Sequence, residues 1–188
     1  MVLDAAVVAV AVRTTARISA VLLATNLIVS ARRLAVIGSS DLEAHDLRPA
    51  LRTRDIATFA AFLVSHTIHF ACVALLALAT SGESMRDNVG GWTGAMAVAT
   101  LFYLGCWGVL RAKQRPTHGW VGTRQRLCEM SVLAIVWTVF FLGFLGRSTR
   151  SLLFGSLTFA LLVSLALFAV AGVRSPIVRA NSGKPQSV

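Results

Sequence analysis

Five apolar runs of about twenty residues, separated by short polar connections, leave this chain few ways to fold. They cover roughly 5–30, 56–80, 92–110, 127–146 and 152–173. Each approaches the ~20 residues a helix needs to cross a hydrocarbon core about 30 Å thick, at 1.5 Å of rise per residue. Lipid offers no partner to an unpaired backbone N–H or C=O, so such runs fold as helices. The expected fold is all-α: a polytopic membrane bundle of about five transmembrane helices, one unit over 1–175, with a disordered tail over 176–188. The first run is interrupted by two positive charges, at Arg13 and Arg17.

Composition agrees. The chain is 56% hydrophobic and 14% charged, with a mean hydropathy of +0.72, which leaves little room for a separate soluble domain. The opening MVLDAAVVAVAV has an acid at Asp4 and no basic n-region, so the N-terminus is expected to be retained rather than cleaved. Cys72, Cys106 and Cys128 lie in or beside apolar runs and suit packing better than a disulfide framework.

A net charge of +10 would suit nucleic acid if the basic residues were clustered on a soluble face. Here they lie between apolar runs, where they set topology. Arg32, Arg33, Arg48, Arg52 and Arg54 fall in 31–55; Arg111, Lys113, Arg115, Arg124 and Arg126 fall in 111–126; Arg174, Arg179 and Lys184 follow the last run. The opposite side has Arg86, Arg147 and Arg150, so thirteen basic residues face three. The positive side is cytoplasmic, which puts the N-terminus outside and the C-terminus inside. Between the first two runs, Ser39 or Ser40 could cap a short amphipathic helix limited by Pro49.

The chemistry is concentrated in FLVSHTIHFACVALLALA, residues 62–79, where His66 and His69 sit in an otherwise apolar run. Three helical positions leave the two rings about 60° apart on one face. Both fall near mid-bilayer, where polar side chains face the bundle interior and usually serve function. Arg13 and Arg17, at i and i+4, share a face of the first run, and Arg17 comes near the depth of the histidines. Buried guanidiniums need an anion, and the apolar runs have almost no acid to offer: Glu129 reads as a helix-start acid. The simplest source of negative charge is a ligand. Haem fits, because its iron takes neutral imidazole and its propionates take arginine. The alternative needs no cofactor: the histidines hydrogen-bond to neighbouring helices and Arg13 snorkels to the surface. His45 and His118 lack metal-ligand spacing, and Met96, Met130 and Cys106 read as packing residues. Gly105 and Gly108 read as close-packing positions between helices.

RTTARISAVLLATNLIVSARRL (13–34) and LRTRDIATFAAFLVSHTIHFACVALLA (51–77) resemble small bacterial membrane proteins that carry an Arg-Thr-x-Ala-Arg opening and a Ser-His-x-x-His helix. More distantly the chain is similar to ferric-reductase-like membrane b-type cytochromes. The resemblance covers roughly 13–146 and is loose after 80. It implies a b-type haem in the bacterial inner membrane, electron transfer or redox sensing, and a partner protein or quinone. Those cytochromes place ligand histidines on two helices, whereas the last three runs here contain none. Axial ligands lie on opposite faces of the macrocycle, so one helix cannot supply both. A homodimer sharing the haem is therefore expected, with His66 or His69 on the iron and Arg13 and Arg17 on the anionic edge. Nothing in the chain suggests flavin, nicotinamide or nucleic-acid binding. A cofactor-free accessory or scaffold subunit of a membrane complex is the alternative; a transporter would call for broken midplane helices in related halves, which the sequence lacks.

Overall fold

The computed structural model describes residues 4–37, 42–80, 89–114, 119–145 and 152–174, and among these every regular element is a helix. The helices are α1 (Ala5–Ile37), α2 (Leu42–Thr80), α3 (Val89–Gln114), α4 (Gly119–Leu145) and α5 (Leu152–Arg174). Three of them are long and apolar enough to cross a membrane, over Ala5–Val36, Leu47–Ala79 and Leu152–Gly172; in α4 the described apolar stretch is shorter, Glu129–Leu142.

Each helix packs on the next in the chain, and α5 returns to pack on α1, which closes the bundle into a ring. Pairings fix the directions. Thr15 meets His69, Ser19 meets Ser65 and Ser30 meets Asp55, so α1 and α2 are antiparallel. Thr67 with Tyr103 and Asp55 with Lys113 reverse α3 against α2. The indole of Trp137 donates to the Leu161 carbonyl at 2.8 Å between α4 and α5. Arg17 over Phe154 leaves α5 parallel to α1.

Helix α1 begins at a sequence-encoded cap: Asp4 Oδ1 accepts the Ala6 N–H at 2.9 Å, satisfying one of the free donors of the first turn. Its inner face is built from small residues. Ala20, Ala24 and Ala31 are buried, with Leu23, Leu27 and Leu34 between them. Small side chains let helix axes approach closely, and close approach, rather than escape from water, drives association in lipid. A separate stripe of α1, about a third of a turn round from the alanines, carries Thr15, Ser19, Asn26, Ser30 and Arg33, which fall within about 60° of one another at 100° per residue. This polar stripe faces α2.

Three expectations change. Pro49 does not end a short helix: α2 runs through it to Thr80. The proline forfeits one hydrogen bond, near the start of the helix, while the residues beyond it are held against α1. The connections are shorter than the apolar runs imply, because helices α2 and α4 begin in polar sequence at Leu42 and Gly119; Ser39 and Ser40 lie outside the described residues. Of Gly105 and Gly108, expected at close contacts, only Gly105 is one: a Cβ there would stand 3.4 Å from Val132, whereas one at Gly108 would meet nothing within 4 Å. The glycines of GWTG at 91–94, read the same way from the sequence, have surroundings outside the described residues.

Candidate functional site

His66 and His69 come together on the inner side of α2, their ring centroids 5.5 Å apart and stacked. The two differ in surroundings. His69 Nδ1 is 3.1 Å from the Thr15 hydroxyl of α1, which gives that ring a fixed partner. His66 is buried, and its Nδ1 has no hydrogen-bond partner. Aromatic rings surround it: Phe70 at 4.5 Å, Phe140 at 4.9 Å, Phe102 at 5.0 Å and Phe62 at 5.6 Å. One side of the imidazole borders a groove of about 380 Å³ among α2, α3 and α4, walled by Phe102, Val136 and Phe140 among others. That volume lies at the lower end of small-molecule sites. Its mouth carries Leu101, Ile135 and Val139, all exposed.

The arginines lie elsewhere. From the centre of the polar stripe on α1, Arg13 and Arg17 point about half a turn away. Arg13 is exposed. Arg17 reaches toward α5, with its guanidinium 5.1 Å from the centre of the Phe154 ring and its buried Nε donating to nothing. Arg17 does sit at the depth of the histidines, between Thr15 and Ser19, but the body of α1 separates it from them.

Comparisons with protein-family profiles, with curated proteins and with solved structures find no match. What the site can do must therefore follow from its own chemistry.

As haem ligands, the described residues fit in part. A buried imidazole that borders an apolar, aromatic-walled groove suits an iron macrocycle. The arginines do not reach that groove, so they do not fit as its propionate partners. No cluster of three or more metal-ligating side chains occurs among the described residues; a single axial histidine does not require one.

A second constellation, at the other end of α1, was not anticipated. Arg33 of α1, Asp55 of α2, Lys113 of α3 and Glu129 of α4 form a closed ring of alternating charge. Arg33 Nε lies 3.1 Å from Asp55 Oδ2, Lys113 Nζ 2.7 Å from Asp55 Oδ1 and 2.9 Å from Glu129 Oε1, and Arg33 Nη2 3.0 Å from Glu129 Oε1. Asp55 and Lys113 are wholly buried. The Arg33–Asp55 contact is a close ion pair rather than an aligned hydrogen bond; Arg33–Glu129 and Lys113–Asp55 carry the directional bonding. Lys113 donates to Asp55 Oδ1 and to the Ser30 hydroxyl at 3.0 Å, and is held against Glu129 as an ion pair. The Ser30 hydroxyl in turn donates to Asp55 Oδ1 at 2.6 Å, and the Asn26 amide adds a third donor at 3.1 Å. Phe59 lies under the ammonium, 5.6 Å from ring centre to Nζ, and the Arg52 Nε–H caps the Lys113 carbonyl.

Two cations and two anions sum to zero, and each touches two of opposite sign. This geometry offsets the desolvation of buried charge in a way an isolated pair does not. Glu129 is accordingly no helix-start acid: α4 begins ten residues earlier, and the carboxylate closes the ring. Exposed Arg32, Arg54 and Arg111 surround the ring at the same end, with Arg111 packed over Trp107, the arrangement of a membrane–water boundary. His45, Cys128, Met96 and Trp120 have side chains outside the described residues, and His118 lies outside them entirely.

Proposed function

We propose that this chain is a five-span protein of the bacterial inner membrane that holds a b-type haem at His66 and serves electron transfer or redox sensing with a partner. The observation carrying this is the buried imidazole of His66, whose Nδ1 is unpartnered beside an apolar groove. His69, tied to Thr15, is the neighbour that orients and tunes it rather than a second ligand to the same iron. Bound haem would supply one-electron chemistry; the protein supplies the imidazole, the apolar walls and its depth. His66 is eleven residues along α2 from Asp55, roughly 16 Å at 1.5 Å per residue, about halfway across a hydrocarbon core. Since α2 carries both histidines, a six-coordinate bis-histidine haem requires a second copy of the chain facing the open groove, which is the basis for proposing a homodimer.

The purified protein should show a Soret band and sharpened α and β bands on dithionite reduction. His66→Ala should abolish them, whereas His69→Ala should keep them with shifted positions or potential. Haem retained in the double variant would eliminate the site.

A cofactor-free scaffold subunit is favoured by a specific observation too: the rings of Phe62, Phe70, Phe102 and Phe140 already cover much of the His66 surface. A featureless visible spectrum from protein expressed with ample haem would select it.

The proposed orientation has the N-terminus outside and the C-terminus cytoplasmic. It rests on the basic residues that remain uncompensated once Arg33 and Lys113 are neutralised by Asp55 and Glu129. In a background with the native cysteines replaced by alanine, an impermeant maleimide added to intact cells should label Met85→Cys and spare His118→Cys. The reverse pattern would invert the topology.

A further inference from the structure

The α1 arginines are left without the role the sequence suggested, and their setting points to another. Arg13 and Arg17 lie one turn apart on the face of α1 opposite the polar stripe. Neither forms an ion pair with a described residue. The buried acids Asp55 and Glu129 are both consumed by the charge ring, whose α1 member, Arg33, lies sixteen residues further along α1 from Arg17. Asp4, the acid that caps α1, is more than two turns from Arg13. Helix α5, against which Arg17 packs, contains no acidic residue. A guanidinium in a low-dielectric setting needs an anion, and the half-buried Arg17 lies beside an aromatic ring rather than a carboxylate.

Depth identifies what can supply that anion. If the charge ring with its surrounding arginines marks one membrane boundary, Arg13 lies twenty residues from Arg33, roughly 30 Å away along a helix. That equals the thickness of the hydrocarbon core, so Arg13 stands at the opposite headgroup level. Arg17 lies one turn deeper, toward the level of the histidine pair, and its long side chain extends back toward the surface. The abundant anion at that level is a phosphodiester, and guanidinium matches phosphate with paired, charge-assisted hydrogen bonds that a lysine cannot reproduce.

We propose that Arg13 and Arg17 form a binding site for the phosphate of a phospholipid headgroup, beside the α1–α5 seam at the N-terminal end of α1. The lipid's chains run inward from that level, along exposed apolar side chains on the same side of α1, Val21 and Ile28 among them. The Phe154 ring beneath Arg17 holds the guanidinium plane in place from the protein side. The site is separate from the His66 groove and rests on the membrane assignment alone, so it stands or falls independently of haem.

Native mass spectrometry of the detergent-purified protein, titrated with phosphatidylglycerol, tests it. One lipid per chain should persist at activation energies that strip the rest. Arg13→Gln/Arg17→Gln should weaken that retention about tenfold, and Arg32→Gln, at the other end of α1, should leave it unchanged. Diacylglycerol with the same chains should not be retained. Equal retention in the double variant and the parent overturns the proposal, as does equal retention of diacylglycerol. Displacement of the lipid by millimolar inorganic phosphate would reassign the site to a free anion and overturn the lipid source. If the double variant fails to fold, the parent alone decides: phosphatidylglycerol should raise its melting temperature and diacylglycerol should not, and equal effects of the two refute the site.

Discussion

Asp55→Ala is expected to destabilise the protein by about 3–5 kcal/mol, the range for stranding a buried charge. The substitution leaves Lys113 and Arg33 sharing one carboxylate, with a net positive charge in a site sealed from water. Lys113→Met produces the mirror image, with Asp55 and Glu129 sharing Arg33. Combined, the two changes leave the neutral Arg33–Glu129 pair, whose Nη2–Oε1 contact is 3.0 Å. The double variant should therefore lose much less than the sum of the single losses. Unfolding in bicelles titrated with dodecyl sulfate measures all three. Additivity within about 0.5 kcal/mol, as for sites that do not communicate, would show that the four charges do not act as one ring.

The second large effect is expected at Phe62, which is fully buried between Phe59, Phe140 and His66. In a water-soluble core, deleting such a ring costs about 3–5 kcal/mol. In lipid the unfolded reference does not expose the ring to water, so the transfer part largely cancels and lost packing remains. Phe62→Ala should then cost about 2–3 kcal/mol. Leu101→Ala, at a side chain 69% exposed, should fall within about 0.5 kcal/mol of the parent, as surface changes do. The same unfolding assay compares them. Equal losses at the two positions would mean that the aromatic cluster around His66 is not packed as described. The Phe62 variant should also loosen the wall of the His66 groove, so any haem it holds should dissociate faster.

The helices were legible because lipid-length apolar runs admit one backbone solution. Their ends were not, because α2 and α4 start in polar, arginine-rich sequence that reads as loop when hydropathy is the guide. Pro49 misled for a related reason: a proline tells of one lost bond, and the packing of thirty residues beyond it is not visible locally. The histidine pair was legible from its spacing alone. The depth of Arg17 was legible as well, but not its direction, although that too was encoded. Thr15, Ser19, Asn26, Ser30 and Arg33 repeat at spacings of 4, 7, 4 and 3, and that stripe places Arg13 and Arg17 on the opposite side of α1. The charge ring was hidden for another reason. Its members are separated by 22, 58 and 16 positions along the chain, and counting Arg33 and Lys113 as loop charges concealed that both point inward. Only the closing of the bundle brings them to the same level.

The ring also has an order in time. A ribosome delivers Arg33 first, then Asp55, then Lys113, then Glu129, one on each successive helix. The running charge of the nascent cluster is therefore +1, 0, +1, 0. Each acid arrives to find a cation waiting, and at no stage does the growing bundle hold more than one unmatched member. The reverse pairing, with both cations before either acid, would ask lipid and insertion machinery to hold two like charges together over the synthesis of a whole helix. With α5 still to come, the first four helices already contain a neutral, locked end on which the last helix can dock.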